Sequence, residues 1–397
     1  MNWLRQTVAV LLINLRTIPA RLGSSTVAII GIAGVVVVFV SVLSISAGFQ
    51  AAMTGSGSRG RALILRAGSD TEMTSGIEGP EVRIIKEAPG IRQEGGKALA
   101  SAEMYVIIDL PKKTTPDAGA NVPMRGIEPG TLQVRDEVSL LEGGRMFRFG
   151  TNEVIAGKAA SGQYLNLNVG DTVVTGQNRW EVVGVFEADG GVGETEIWCD
   201  VQTLQSVYRR QNSFQLVLAT LDSNDSFDTL RNWLMENPQV NVDVQRENEY
   251  YASRSELMTR LINTLGFGVA SLMGIGAIFG AILTMYTAVA SRTREIATLR
   301  ALGFNPLSVV VSVLAESLVL GGIGGAAGAI GAYLAFDGFQ TSTMNFQTFS
   351  QVAFAFRVTP LLFATGLLYA LIIGLIGGLL PAVRAARLPI PKALREL

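Results

Sequence analysis

Along the chain, apolar and polar positions fall into two regimes. Four stretches carry no charge: between Arg21 and Arg59, between Arg260 and Arg292, from Ser317 to Phe336, and from Val358 to Val383. Val27 to Ala47 and Leu261 to Ala290 are dense in apolar residues and glycine. A charge at the centre of a bilayer costs about 2.5 to 3.5 kcal/mol on insertion scales. A helix rising about 1.5 Å per residue needs ~20 apolar residues to cross a ~30 Å core. Each stretch can supply them. The pattern predicts transmembrane helices over 22–50, 253–291 (an outward stalk plus its span), 307–336 and 358–383.

Between the first two spans the period changes to short alternating runs with turn signals, which predicts a mixed α/β domain over 51–252. Residues 61–66, 104–110 and 122–127 read as strands. Glu81 to Ala88 reads as a helix opened by Gly79-Pro80 and stopped by Pro89-Gly90. Asp171–Thr175 and Trp180–Glu187, joined by residues 176–178, read as a hairpin. Ser213–Leu221, Phe227–Glu236 and Val240–Gln245 read as a compact strand-helix-strand unit, with Ser223, Asn224 and Asp225 available to cap the helix and Asn237-Pro238 to end it. Segments 68–80 and 112–121, rich in Gly, Ser, Thr, Pro and acids, are expected to be mobile loops. The fold class is therefore an α-helical membrane protein with four transmembrane helices and a large α/β domain inserted between the first and second.

Charge sets the orientation. Residues 1–21 carry Arg5, Arg16 and Arg21 with no acid, the link 292–306 carries Arg292, Arg294 and Arg300 against Glu295, and the tail 384–397 carries Arg384, Arg387, Lys392 and Arg395 against Glu396. The loop 337–357 holds one cation, Arg357. The positive-inside bias places both termini in the cytoplasm and the domain outside. Residues 59–260 hold 29 acids and 21 bases. Residues 1–21 are not expected to be a cleaved signal, because the run Val8–Ile13 is short. Trp3, Leu4, Val8, Leu11, Leu12 and Leu15 recur at helical spacing, as in a helix lying in the inner interface or packed on protein.

Composition narrows the chemistry. Of 397 residues, 32 are basic and 33 acidic, so bulk charge gives no case for nucleic acid. There is no His and one Cys, Cys199, which excludes His-dependent catalysis and an internal disulfide. Gly96-Lys97 and Gly157-Lys158 each lack the first glycine and the Ser/Thr of a phosphate-binding loop, so this chain is not expected to bind ATP that way. Glu194, Glu196 and Asp200 share one face of an alternating run. A cation site is one reading, and the solvated edge of a strand is the preferred one. Cys199, on the opposite face, reads as a small buried apolar residue.

The run from Ser291 to Pro306, SRTREIATLRALGFNP, is followed by Glu316, a glycine-rich span from Gly321 to Gly331, and Pro381 to Arg387, PAVRAAR. Here the chain resembles the FtsX-like permeases of ABC transporters, of the MacB and lipoprotein-releasing (LolC/LolE-like) type, whose recurring pattern is R-x-x-E-I-x-x-L-R-A-L-G, then Glu, then glycines, then P-A-x-R-A-A-R. Asn152–Ala156, Val169–Val173 and Val182–Val185 are similar to the periplasmic pattern of that family. The resemblance implies a multi-pass protein of the bacterial inner membrane and a transport subunit that is not itself an enzyme. ATP and Mg would be held by a separate ABC ATPase, with no cofactor or metal in this chain. A second copy or a paralogous permease would pair with it, and an efflux system would add a periplasmic adaptor. The implied function is mechanotransmission for efflux, export or lipoprotein extraction. The alternative is an FtsX-like signalling subunit that activates a cell-wall hydrolase, and a receptor or scaffold without an ATPase is a third.

The link 292–306 suits docking. Ile296, Leu299 and Leu302 or Ala301 share a helical face, Arg292, Arg294 and Arg300 ring it, and Gly303 with Asn305-Pro306 ends it. The arginines could equally meet lipid phosphates. The resemblance implies the coupling helix, with Arg292, Arg294, Glu295, Leu299, Arg300, Leu302 and Gly303 as ATPase-docking residues. Glu316, about 15 Å into the third span, needs a partner, and a hydrogen bond near the inner interface is the preferred reading over an ion pathway. The spacings Gly276/Gly280, Gly321/Gly325, Gly324/Gly328 and Gly374/Gly378 predict close helix packing within one subunit.

Overall fold

The structure is a computed structural model and describes residues 6–7, 22–344 and 351–390. The expected interfacial helix over 1–21, apart from Gln6 and Thr7, and the tail beyond 390 lie outside the described residues. The chain forms two compact units, one of residues 1–47, 260–339 and 356–397, the other of residues 48–259 and 340–355.

The helices are α1 (Leu22–Gly55), α2 (Glu247–Ala290), the short α3 (Thr293–Ala301), α4 (Pro306–Phe336) and α5 (Pro360–Ala386). Among the described residues four helices, α1, α2, α4 and α5, are long and apolar enough to cross a membrane. Two start as their sequences dictate. Asn305 and Thr359 accept hydrogen bonds from the N–H groups of Leu307 and Leu362, and Pro306 and Pro360 fill first-turn positions that have no N–H partner to lose.

Glycine lets α4 approach α1 and α5. A Cβ on Gly328 would lie 2.6 Å from the carbonyl oxygen of Ala33, and one on Gly374 would lie 2.8 Å from that of Ser317. Gly321, Gly325 and Gly378 meet Ala370, Ala370 with Leu367, and Ser317 in the same way. Ile32, Val36, Val40, Ala329, Ala332, Ala370 and Ile373 fill the space between. Gly276 and Gly280 behave differently: an added Cβ on either meets no atom within 4 Å. The packing expected of that pair within one subunit is not present among the described residues, because this side of α2 faces outward, as do Leu272, Ile275, Phe279 and Leu283.

In the other unit the strands are β1 (Arg61–Arg66), β2 (Ile77–Glu78), β3 (Gln93–Glu94), β4 (Lys97–Ala98), β5 (Ala100–Pro111), β6 (Gly119–Ile127), β7 (Ser139–Leu140), β8 (Glu153–Gly157), β9 (Thr172–Thr175), β10 (Asn178–Glu187), β11 (Ile197–Asp200), β12 (Ser213–Phe214), β13 (Leu216–Thr220) and β14 (Val242–Arg246), with a hairpin of β15 (Gln340–Met344) and β16 (Gln351–Ala355). The main sheet runs β14-β1-β13-β5-β6-β11-β8-β10-β7, with β9 paired to β10. It is mixed: β6–β11 and β8–β10 are parallel, and its other pairings are antiparallel. The predicted hairpin is β9–β10, and the predicted strands lie within β1, β5 and β6. The strand-helix-strand unit is split, because β1 sits between β13 and β14 and pairs with both. The helix Ser226–Glu236 packs Phe227, Leu230 and Leu234 over that end of the sheet.

Two expected loops are structured. Residues 68–80 include a single helical turn, Glu72–Thr74, whose first residue is buried. The connector 337–357 carries the β15–β16 hairpin, whose Val352 and Phe354 are buried in the α/β unit, with the Phe354 ring 5.6 Å from that of Phe49.

Candidate functional site

Two arrangements concentrate polar chemistry, one in each unit. The first is built on α3. The chain leaves α2 at Ala290, turns through Ser291 and Arg292, and runs as helix to Ala301. Gly303, at φ +91°, takes the left-handed conformation that ends the helix. Ile296 and Ala297 are buried, Ile296 packing with Met285, Val289, Val309 and Val313, while Arg294, Glu295, Thr298 and Leu302 face out, Leu302 at 72% exposure.

Of the three arginines expected to ring the docking face, only Arg294 is exposed. Arg292 is buried and its Nη1 donates to Oε2 of Glu316 at 2.8 Å. This supplies the partner that a carboxylate at this depth of α4 requires. Arg300 is half-buried, and its Nη1 donates to the carbonyls of Ala386 (2.5 Å) and Leu388 (3.2 Å), a cation placed on the orphan acceptors of a helix C-terminus. Leu299 is half-buried beside a cleft of about 330 Å³ that Arg292, Glu295, Thr298 and Glu316 also line. Two of the predicted docking residues thus hold α3 in place, and the outward face comprises Arg294, Glu295, Thr298 and Leu302.

The second arrangement was not legible in the sequence. Arg125, on β6, is 1% exposed and sits at the centre of a buried ion network. It grips Glu196 with two bonds, 2.6 and 2.7 Å, meets Glu103 at 2.8 Å, and lies 2.9 Å from Glu72. Glu103 is also held by two bonds from Arg135, 3.1 and 2.9 Å. Arg135 approaches Glu247, the first residue of α2, at 3.6 Å. Arg61 then donates to Glu247 at 2.6 Å and to both oxygens of Glu137. Burial acts to raise Glu103, but Arg135 and Arg125 outweigh it and hold the carboxyl below its ordinary range. For Glu72 and Glu247 burial prevails, and both carboxyls are pushed up despite Arg125 beside the one and Arg135 and Arg61 beside the other.

This network corrects the reading of Glu194, Glu196 and Asp200. None is solvated, and β11 is an interior strand between β6 and β8. Glu196 is the bidentate partner of Arg125 and accepts from the Trp198 indole at 2.8 Å. Glu194 accepts from the N–H groups of Ala188 and Gly190, and Asp200 caps the helix Val201–Val207. Among the described residues no group of His, Cys, Asp and Glu could hold a metal ion. Cys199 is buried, and burial pushes its thiol well above the ordinary value.

Residues 25–236 match the MacB-like periplasmic core domain and residues 267–390 match the FtsX-like permease C-terminal domain. Among solved structures, the extracellular domain of the ABC-type transporter YknZ from Gram-positive bacteria is 17% identical, with a TM-score of 0.35 over 47% of this chain and 99% of that one. The periplasmic region of MacB from Actinobacillus actinomycetemcomitans is 13% identical, with a TM-score of 0.38 over 51% of this chain and 95% of that one. Comparison with curated proteins gives no match.

Proposed function

Because the chain belongs to the MacB/FtsX-like permease family of ABC transporters, we propose that it is a mechanotransmitting subunit, driven by a separate ATPase that binds ATP and Mg, and that it moves its α/β domain to drive efflux, export or lipid extraction. In this reading it lies in a bacterial inner membrane with both termini cytoplasmic, pairs with a second permease, and in an efflux system meets a periplasmic adaptor.

The observation that carries the reading is α3. It is short, pinned at its start by the Arg292–Glu316 pair and near its end by Arg300, and it presents Arg294, Glu295, Thr298 and Leu302 outward. A rigid helix anchored at both ends passes a push to the spans that hold it, whereas a loose loop would absorb it. α2 runs without a break from Glu247 to Ala290, so a tilt at its cytoplasmic end would be carried along a single rod. Apart from Glu316 and its partner the spans offer few ionisable groups for a polar pathway, which favours substrate capture outside the membrane.

Co-purification tests this. Leu302→Glu and Arg294→Glu alter only exposed positions and are expected to reduce recovery of the ATPase at least about tenfold without lowering permease yield, as losses at an interface hot spot do. Undiminished recovery with both changes combined would refute docking at α3.

A further inference from the structure

The ion network of the α/β unit is placed where the chain enters and leaves that unit. Glu247 is the first residue of α2, and its Oε2 also accepts the N–H of Ser58, three residues past the end of α1. Tyr250, from the next turn of α2, accepts the N–H of Glu72 through its hydroxyl at 3.3 Å. A cavity of about 30 Å³ beside Arg125 and Glu72 is lined also by Met53 of α1, Tyr250 and Tyr251 of α2 and Val352 of the β15–β16 hairpin. The last turns of α1, the first turns of α2 and the connector between α4 and α5 therefore meet around one buried guanidinium.

Charges are a costly way to fill such a place. Well-packed apolar residues in the position of a buried ion network are commonly as stabilising or more so, because desolvation offsets the Coulombic gain. What a guanidinium–carboxylate fork adds, as where Arg135 holds Glu103 and Arg61 holds Glu137, is direction: two parallel bonds fix an orientation that apolar contact leaves free to slide. Glu247 is tied to these forks by single bonds from Arg61 and the Ser58 N–H and by its approach to Arg135. We propose that the chain Arg125–Glu103–Arg135–Glu247–Arg61 is the joint that makes the first turn of α2 and the exit of α1 move as one body with the sheet, with Glu247 as its key positioning residue. Its purpose rests on the force-transmitting reading above; its rigidity does not.

The test uses the full-length protein with its ATPase in lipid nanodiscs, with and without ATP and Mg, read by hydrogen exchange and by ATPase rate. Glu247→Gln keeps the shape of the side chain and removes the charge that Arg61 and Arg135 share. We expect amides of 247–255 and 56–58 to exchange about tenfold faster or more, as breaking a buried pair implies. Amides of β8 and β11 should hold their rates. The nucleotide-dependent change in exchange of the α/β unit should be lost while ATP turnover persists. Glu137→Gln, at a half-buried position, is the second variant should the first not fold, and a smaller rise at the same amides is expected. Unchanged exchange at 247–255, or an equal rise throughout the sheet, would overturn the joint. Faster local exchange with an intact nucleotide response would overturn its coupling role. If the wild type itself shows no nucleotide response, the force-transmitting reading falls, and the exchange rates alone still decide whether the joint exists.

Discussion

Carboxylates in the α/β unit meet opposite fates: Glu153 lies on strand β8 and Glu72 in the helical turn Glu72–Thr74. Glu153, half-buried, is held by two bonds from Arg145, and that pairing lowers its pKa to about 2. Its contribution to stability is present above the ordinary value of 4.5 and is lost as pH falls from there towards about 2. Glu72 has the reverse sign. Burial raises its pKa, so the native state binds the extra proton more readily than the unfolded chain does, and protonation of Glu72 stabilises as pH falls towards 4.5. Glu153→Gln should flatten the acid limb of unfolding between pH 4.5 and about 2, followed by tryptophan fluorescence. Glu72→Gln should steepen the net loss of stability on acidification, because the offsetting proton uptake is gone. An acid limb unmoved by Glu153→Gln would show that the Arg145 pair does not contribute. The alternating acids at 194, 196 and 200 read as solvent-facing because no other ligand type and no cation clusters with them in the sequence. The charged partner of Glu196, Arg125, lies 71 residues away, and no local pattern announces it. Cys199 was legible as buried, since its own strand is apolar on that face.

The helices are the elements sequence shows best, because a missing charge over ~20 residues has one physical meaning in a bilayer. Which glycines touch another helix is not written in their spacing. The Gly276/Gly280 and Gly324/Gly328 pairs look alike, yet only the second lies against a backbone. Gly328→Leu should therefore force α1 and α4 apart and destabilise the protein by about 1 to 3 kcal/mol, the range for overpacking. Gly276→Ala should leave the thermal midpoint in detergent unchanged or raised, since alanine favours helix. Equal effects would contradict the packing described. The role of Arg292 was likewise hidden. It sits in an arginine-rich run that reads as a docking ring, but its partner is 24 residues on, within α4. Glu316→Ala takes the buried carboxylate away from that guanidinium, and a loss of about 3 to 5 kcal/mol is expected, seen as reduced folded yield. Joint replacement of Arg292 and Glu316 by Met and Leu should recover much of it.

For the whole molecule, the sequence carried the division into spans and an α/β domain, and the link 292–303 carried the family. It did not show that the connector between α4 and α5 forms a hairpin belonging to the α/β unit, because β15 is mostly polar and its partner strand β16 meets side chains as distant in sequence as Lys112. In the proposed function force enters at α3, and the buried Cys199 leaves that proposal directly testable by single-cysteine crosslinking. Leu302→Cys, in the assembled complex with its ATPase, should crosslink to the ATPase with a short bifunctional reagent, with a yield that changes when ATP and Mg are added, while Met235→Cys on the α/β unit should not. Crosslinking of the ATPase through position 235, or none through position 302, would contradict the account.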